Sequence, residues 1–361
     1  MSLLRRAICV AVLVCGLPLC SAQAPAAAAA GIQPAYASNP KYVNAMREGK
    51  QLLQQRRAAF AEDSFKKANK IADGQSVDAL DSLYTAQMMQ GEFKDAVATA
   101  NTLTALGTTP LDKAMAATER GQALLGIAGP KPKPAQLEAA HAAFQEAIAL
   151  YPKAPSALYS DGQVLARLGR MDEAKTDFEK CVSCVGPRDP ARLRAQHFAE
   201  NPELSTHKMA PAFEVTALDG SKFNLDAMGG RVVLIDFWAT WCGPCNEELP
   251  HMKKIAKEFA GQPLVIISVS WDSDEAKWKD FIQKNGMTWV QYRDADHKLS
   301  DQFAINAIPH YFTIDSDGVL TAEMLGEGSD VEGKLKKLIA KAQAAQKVET
   351  AGTAQVNSGG D

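Results

Sequence analysis

The sequence is poor in histidine, poor in cysteine and almost balanced in charge. Its 361 residues hold 39 Lys and Arg against 42 Asp and Glu, a formal net charge of −3. A chain without a basic excess has no electrostatic footprint for nucleic acid, and no such partner is expected. The apolar run between Ala7 and Leu19 falls short of the roughly 20 residues that span a bilayer. Six histidines offer little for a metal: His197 follows Cys184 after 12 intervening residues, but His207 comes after a further 9 intervening residues, which misses finger spacing. No metal and no cofactor are expected.

Three of the seven cysteines (Cys9, Cys15, Cys20) fall within residues 1–24. There Arg5 and Arg6 precede the apolar run, and Ser21-Ala22-Gln23-Ala24 supplies a small-x-small cleavage site, the layout of a secretory signal. Export to the periplasm or another extracytoplasmic space, with cleavage after Ala24, is expected. An uncleaved anchor or a lipoprotein would instead leave the chain membrane-associated, although Leu19 replaces the small residue a lipobox needs before Cys20. Cleavage removes two arginines and no acid, so the mature charge is −3 − 2 = −5. Four cysteines then remain, in two Cys-x-x-Cys pairs: Cys181/Cys184 and Cys242/Cys245.

The rest of the chain is organised around Val232-Val233-Leu234-Ile235-Asp236-Phe237-Trp238, a β-branched and apolar run that reads as a strand buried on both faces. It stops at Trp241-Cys242-Gly243-Pro244-Cys245. Helix-period residues Leu249, Met252, Ile255 and Phe259 follow. Cys242 therefore falls at a helix N-terminus, where unpaired backbone N–H groups and the positive end of the dipole stabilise a thiolate. Cys245, three residues on, can attack a mixed disulfide. That is the layout of a dithiol–disulfide exchanger; a structural disulfide or half a zinc site is the inert alternative.

The same residues resemble the thioredoxin family. Asp236 lies six positions before Cys242 and Pro250 eight after it, and Ile308-Pro309 precedes the apolar Tyr311-Phe312-Thr313-Ile314 run. In that family these are the buried carboxylate under the active site, the proline that kinks the first helix, and the cis-proline loop. Between Ser270 and Pro309 lie 38 residues, more than a minimal thioredoxin has there. With the Asp219-Gly220 hairpin ahead of the catalytic strand and the export signal, this resembles the TlpA/ResA-like extracytoplasmic thioredoxins over about 208–345. Glu248 matches an acid that group carries near its active site. One departure is that 263–270 contains no lysine to partner Asp236. A Thr-x-x-Cys peroxidatic site is absent, since Thr240 lies two residues before Cys242.

The expected fold is thus an α/β thioredoxin domain preceded by an all-α domain of helical repeats. Between 41 and 187 helical periodicity recurs with Gly and Pro breaks. The anchor alanines Ala61, Ala96, Ala140 and Ala174 are spaced 35, 44 and 34 residues apart. The clearest copy runs Leu158, Gly162, Leu165, Gly169, Ala174, Phe178, Cys181; another runs Leu80, Leu83, Gly91, Phe93, Ala96, Leu103. This resembles the tetratricopeptide repeat, with the long gap explained by the Gly129–Pro134 loop; a plain helical bundle is the alternative. The domain reading is 1–24 signal, 25–40 linker, 41–187 helical repeats, 188–207 linker, 208–345 thioredoxin domain and 346–361 disordered tail.

Chemically, Cys242 is expected to be the exposed attacking thiolate and Cys245 the resolving cysteine, with Asp236 and Glu248 taking its proton. Trp241, Gly243, Pro244, Ile308 and Pro309 would form the apolar rim where a client chain docks, and His310 stands beside them or at a strand edge. Gly-Pro between the cysteines suits a reductase; an oxidase or isomerase of the same fold usually carries a histidine there. For Cys181/Cys184 three readings stay open: a stabilising disulfide, free buried thiols, or a second redox relay. The implied partners are disulfide-containing client proteins, a membrane thiol–disulfide electron donor of the family's kind, and a protein seated in the groove of the repeats. The implied activity is reduction of disulfides, as in cytochrome c maturation or redox homeostasis. A non-catalytic repeat scaffold is the other class.

Overall fold

A computed structural model describes residues 35–186, 189–326 and 328–357. The expected signal peptide lies outside the described residues. Two compact units divide between Thr206 and His207.

The first unit is an array of helices: α1 (Pro40–Gln54), α2 (Ala58–Ile71), α3 (Val77–Gln90), α4 (Phe93–Leu106), α5 (Pro110–Ala128), α6 (Pro134–Leu150), α7 (Pro155–Arg167), α8 (Met171–Cys184) and α9 (Pro190–Glu200). Five of them begin with proline (Pro40, Pro110, Pro134, Pro155, Pro190), whose missing N–H is no loss at the first helical position. Each helix packs chiefly on its sequence neighbours. Glycine makes the close approaches: a Cβ added at Gly49, Gly121 or Gly162 would fall within 3.0 Å of the Phe65, Phe144 or Phe178 ring respectively. In the α3/α4 pair the sizes are exchanged. Tyr84 stands 12 residues before Ala96, where Gly49 and Gly162 stand before Ala61 and Ala174, and Ala100 takes the phenylalanine's place. Tyr84, Ala96, Ala100 and Ala123 form one buried cluster. Gly91, placed by sequence in the repeat frame, is the left-handed C-cap of α3 at φ 75°, and the equivalent Gly169 has φ 78°.

Residues expected to be linker are packed. The Tyr36 ring packs tilted against Tyr42 with centroids 5.1 Å apart, and its hydroxyl donates to the Gln75 carbonyl at 3.3 Å. Helix α9 buries Phe198 against Tyr159 and Phe178, with ring centroids 5.8 and 5.3 Å away. The apolar residues Ala195, Phe198 and Ala199 are the signal in 188–207 that marks a docked helix.

The second unit holds the hairpin β1 (Glu214–Thr216) and β2 (Lys222–Asn224), then β3 (Val232–Trp238), α10 (Gly243–Glu258), β4 (Leu264–Ser270), α11 (Glu275–Asn285), β5 (Val290–Arg293), α12 (Lys298–Gln302), β6 (His310–Ile314), β7 (Leu320–Leu325) and α13 (Val331–Asn357). The main sheet runs β5-β4-β3-β6-β7. The β5/β4 and β4/β3 pairs are parallel; β3/β6 and β6/β7 are antiparallel. This is the thioredoxin fold. Every β3 residue is buried. Val233, Ile235 and Phe237 face one core with Phe213, Leu225, Leu299 and Phe303. Val232 and Leu234 face the other with Met252 and Ile255 of α10 and Val331, Leu335 and Ile339 of α13. Side chains alternate along a strand, so Asp236 falls on the α10 side. The helix α13 runs on through Asn357, into residues expected to be a disordered tail; Ala345, Gln346 and Lys347, where it continues, are good helix formers. No helix of the described residues is long and apolar enough to cross a membrane.

Candidate active site

Strand β3 delivers the chain to the Ala239-Thr240-Trp241 turn, and Cys242 caps α10. Cys242 has extended backbone, φ −84° and ψ 107°, and its sulfur accepts the Cys245 N–H at 3.2 Å. Because Cys242 stands outside the helix, the Cys245 Sγ can reach it, and the two are disulfide-bonded with Cα atoms 5.3 Å apart. The turn is held from across the sheet. Asp272, buried after β4, accepts the Thr240 N–H at 2.9 Å and its hydroxyl at 2.5 Å, and the Ser270 hydroxyl at 2.7 Å.

Cys242 departs from the exposure expected of it: only 6% of its surface is open. Trp238, Ala239, Trp278, Ile282 and Met287 pack around the cysteine pair, with Ile308 half-buried against it. What stands out to solvent is the rim, with Trp241 65% exposed and Gly243 and Pro244 exposed beside it. The Ile308-Pro309 bond is cis. Pro309 is buried, and its carbonyl accepts the Gly326 N–H at 3.0 Å. Among the described residues no hydrogen bond involves the Ile308 backbone.

Below the cysteines a small cavity is lined by Asp236, Trp238, Cys245, Asn246, Leu249 and Tyr311, among others. Asp236 has no lysine, and its partner is the Ser268 hydroxyl, which donates to Oδ2 at 2.8 Å and itself accepts the Trp289 indole N–H at 2.7 Å. Burial pushes the Asp236 carboxyl up to about 7, against the lowering effect of Ser268 and with the Glu248 charge adding to the rise. A carboxyl so placed exchanges protons near neutrality. Tyr311, directly across from Asp236 on β6, has its hydroxyl held in the neutral form by the same burial.

Two expected site residues are engaged elsewhere. Glu248 does not line the cavity: Oε1 accepts the Gly328 N–H at 2.7 Å and Oε2 meets His251 Nδ1 at 3.1 Å, tying α10 to the loop before α13. Its charge adds to the rise at Asp236. His310 is buried, neither in the rim nor at a sheet edge, because β7 covers β6. Its ring stacks on Phe312 at 4.8 Å and Nε2 lies 3.1 Å from Glu323 Oε1. Among the described residues no group of His, Cys, Asp and Glu could hold a metal ion.

The profile described as the AhpC/TSA family matches residues 206–323. The thiol-disulfide oxidoreductase ResA of Bacillus thuringiensis (strain Al Hakam) is 32% identical over 143 residues, 39% of this chain and 83% of the relative. ResA of Bacillus subtilis (strain 168) is 27% identical over 129 residues, 36% of this chain and 72% of the relative. The chain belongs to the ResA-like family of thiol-disulfide oxidoreductases. A crystal structure of the thioredoxin domain of a thiol-disulfide oxidoreductase from Bacteroides vulgatus is 29% identical and covers 37% of this chain and 96% of its own, with a TM-score of 0.34. The family model falls on the second unit, which holds the Cys242/Cys245 site.

Within this ResA-like site, Ser268, Asp272 and Trp289 are functional neighbours that sequence reasoning passed over. Their signal was present in β4: Ser268 and Ser270 alternate in an otherwise apolar strand, and a buried hydroxyl needs a polar partner. Only the parallel pairing, which sets Asp236 beside Ser268, shows which one.

Proposed function

We propose that the protein is an exported reductase that opens disulfides in client proteins, with Cys242 as nucleophile and Asp236 as the base for Cys245. The observation that carries this reading is a carboxyl with its pKa near neutrality lining the same cavity as Cys245, under a cysteine pair at a helix N-terminus. In the reduced protein the Cys242 thiolate attacks a client disulfide, a mixed disulfide forms, and the leaving client thiolate takes a proton from solvent. Asp236 then accepts the Cys245 proton. The Cys245 sulfur attacks Cys242 Sγ, the second client thiolate departs and takes a proton from solvent, and the Cys242–Cys245 disulfide remains. Two electrons pass to the client, so a membrane thiol–disulfide donor must return two to the pair. The Ile308 backbone, hydrogen-bonded by no described residue, and the Trp241 rim suit an extended client chain. The Gly243-Pro244 insert favours reduction over oxidation or isomerisation. Haem-attachment cysteines of cytochromes c are one client class that this chemistry serves, and the tetratricopeptide-like array is suited to recruit the client or a partner.

The test is insulin reduction with dithiothreitol as electron source. Wild type should accelerate it and Cys242→Ser should not; a Cys242→Ser protein as active as wild type refutes the reading. A Cys245→Ala protein should accumulate covalent client complexes, whereas a purely structural scaffold would trap none.

A further inference from the structure

The helical unit carries a Cys-x-x-Cys pair of its own that the chemistry above does not use. We propose that Cys181 and Cys184 form a second redox couple, held as a dithiol by the last turn of α8 and closed to a disulfide only when that turn unwinds. The proposal concerns the helical unit alone and stands whether or not the Cys242/Cys245 pair reduces clients.

Both cysteines lie inside α8 and are unbridged, so the disulfide expected as one reading is not formed. At i and i+3 of an intact helix the Cβ atoms stand about 5–6 Å apart, beyond the roughly 3.5–4.5 Å a bridge requires. Closing it means pulling Cys184 out of helical geometry. The next residue, Val185, is already extended at φ −95° and ψ 145°, so the unwinding need travel back only one position. Three hydrogen bonds oppose it. The Val185 N–H donates to the Cys181 carbonyl at 3.2 Å, and the Arg192 guanidinium of α9 donates to the Val182 and Val185 carbonyls at 2.5 and 3.0 Å. Oxidation therefore disturbs the Arg192 contacts between α9 and α8, beside the Phe198–Phe178 packing that remains.

The two thiols are unequal. Cys184 is half-buried and reachable, while Cys181 is 2% exposed and its thiol points to the Pro155 carbonyl at 3.4 Å. Burial pushes the Cys181 thiol up to about 12, so Cys184 attacks and Cys181 resolves. With a disulfide R–S–S–R as oxidant, Cys184 releases its proton to solvent and bonds to one sulfur, and R–S⁻ leaves and is protonated. Cys181 then loses its proton, bonds to Cys184 Sγ and expels the second R–S⁻, which is protonated in turn. Two electrons and two protons pass from the pair to the oxidant, giving two R–SH. Because the helix stabilises the reduced form, the pair needs more oxidising conditions than Cys242/Cys245, as a stabilised dithiol does in general.

The full chain, and separately a Cys242→Ala/Cys245→Ala chain, would be equilibrated across ratios of oxidised to reduced glutathione, alkylated at acid pH and mapped by peptide mass spectrometry. The Cys181–Cys184 bridge is expected in both chains. In the wild type it should appear at a ratio at least about tenfold more oxidising than Cys242–Cys245 requires. Its formation should speed amide exchange across 181–200, and Arg192→Ala should move its onset to more reducing ratios. The proposal is overturned if only a glutathione adduct forms on Cys184, if the bridge forms together with or before Cys242–Cys245, or if bridging leaves exchange in α9 unchanged.

Discussion

The chain uses the Cys-x-x-Cys spacing twice, at opposite ends of two helices, and the ends decide the chemistry. At the start of α10 the first cysteine is the cap, its backbone is extended, and the N–H of the second cysteine points at its sulfur. At the end of α8 both cysteines are inside the helix, and the backbone groups left over are carbonyls, which Arg192 rather than sulfur satisfies. Beneath the first pair lies a titratable carboxyl, Asp236; the buried member of the second lies against a carbonyl, that of Pro155. Spacing brings two sulfurs near each other, but helix polarity and the group underneath determine whether a disulfide exchanges readily.

The largest test of this contrast is Cys242→Ser, which should bring insulin reduction to background, while Cys184→Ser leaves it unchanged. Next is Asp236→Asn, expected to slow turnover by about 10²–10⁴, the usual worth of a positioned base, and to remove the rise in rate through pH about 7 that its raised carboxyl imposes. The same substitution has a stability signature. A carboxyl raised in the folded state binds its proton more tightly there than in the unfolded chain. It therefore stabilises the second unit at low pH and loses that contribution as pH climbs from about 4 through about 7. The loss is on the order of a few kcal/mol, so Asp236→Asn should flatten the fall in thermal midpoint between acid and alkaline pH.

A smaller effect is expected at the other pair. Gly162→Ala sets a methyl against the Phe178 ring, three residues before Cys181 on α8, and should destabilise the helical array by about 1–3 kcal/mol through overpacking. Denaturant melts would read this, with insulin reduction unaltered. The smallest is Asp272→Asn, which keeps an acceptor for Thr240 but removes the charge. It should cost roughly 1 kcal/mol of second-unit stability, measured in the same melts.

What could be read from the sequence was whatever rests on local pattern. The apolar β3 run, the cap at Cys242 and Pro250 inside α10 all stand where their residues place them. The ring-and-glycine packing was half legible, through Gly162 and Phe178. Gly49 and Gly121 escaped notice, and the Tyr84/Ala100 exchange conserves volume by reversing the sizes, which no single-position frame detects. Partnerships between strands were out of reach. Ser268 reaches Asp236 across 32 positions and Asp272 reaches Thr240 across the same interval. The burial of Cys242 and His310 likewise depends on α11 and β7, elements that fold over them from later in the chain.

The central claim is that a helix start makes Cys242 acidic while burial at a helix end keeps Cys181 a thiol. It is tested most directly by the pH dependence of iodoacetamide alkylation in the fully reduced chain, resolved residue by residue by peptide mass spectrometry. Cys242 should reach half its maximal rate clearly below the roughly 8.5 of a free cysteine, with Cys181 unreactive until far more alkaline pH. A Cys242 that titrates at or above the free value, or in step with Cys181, would contradict the account.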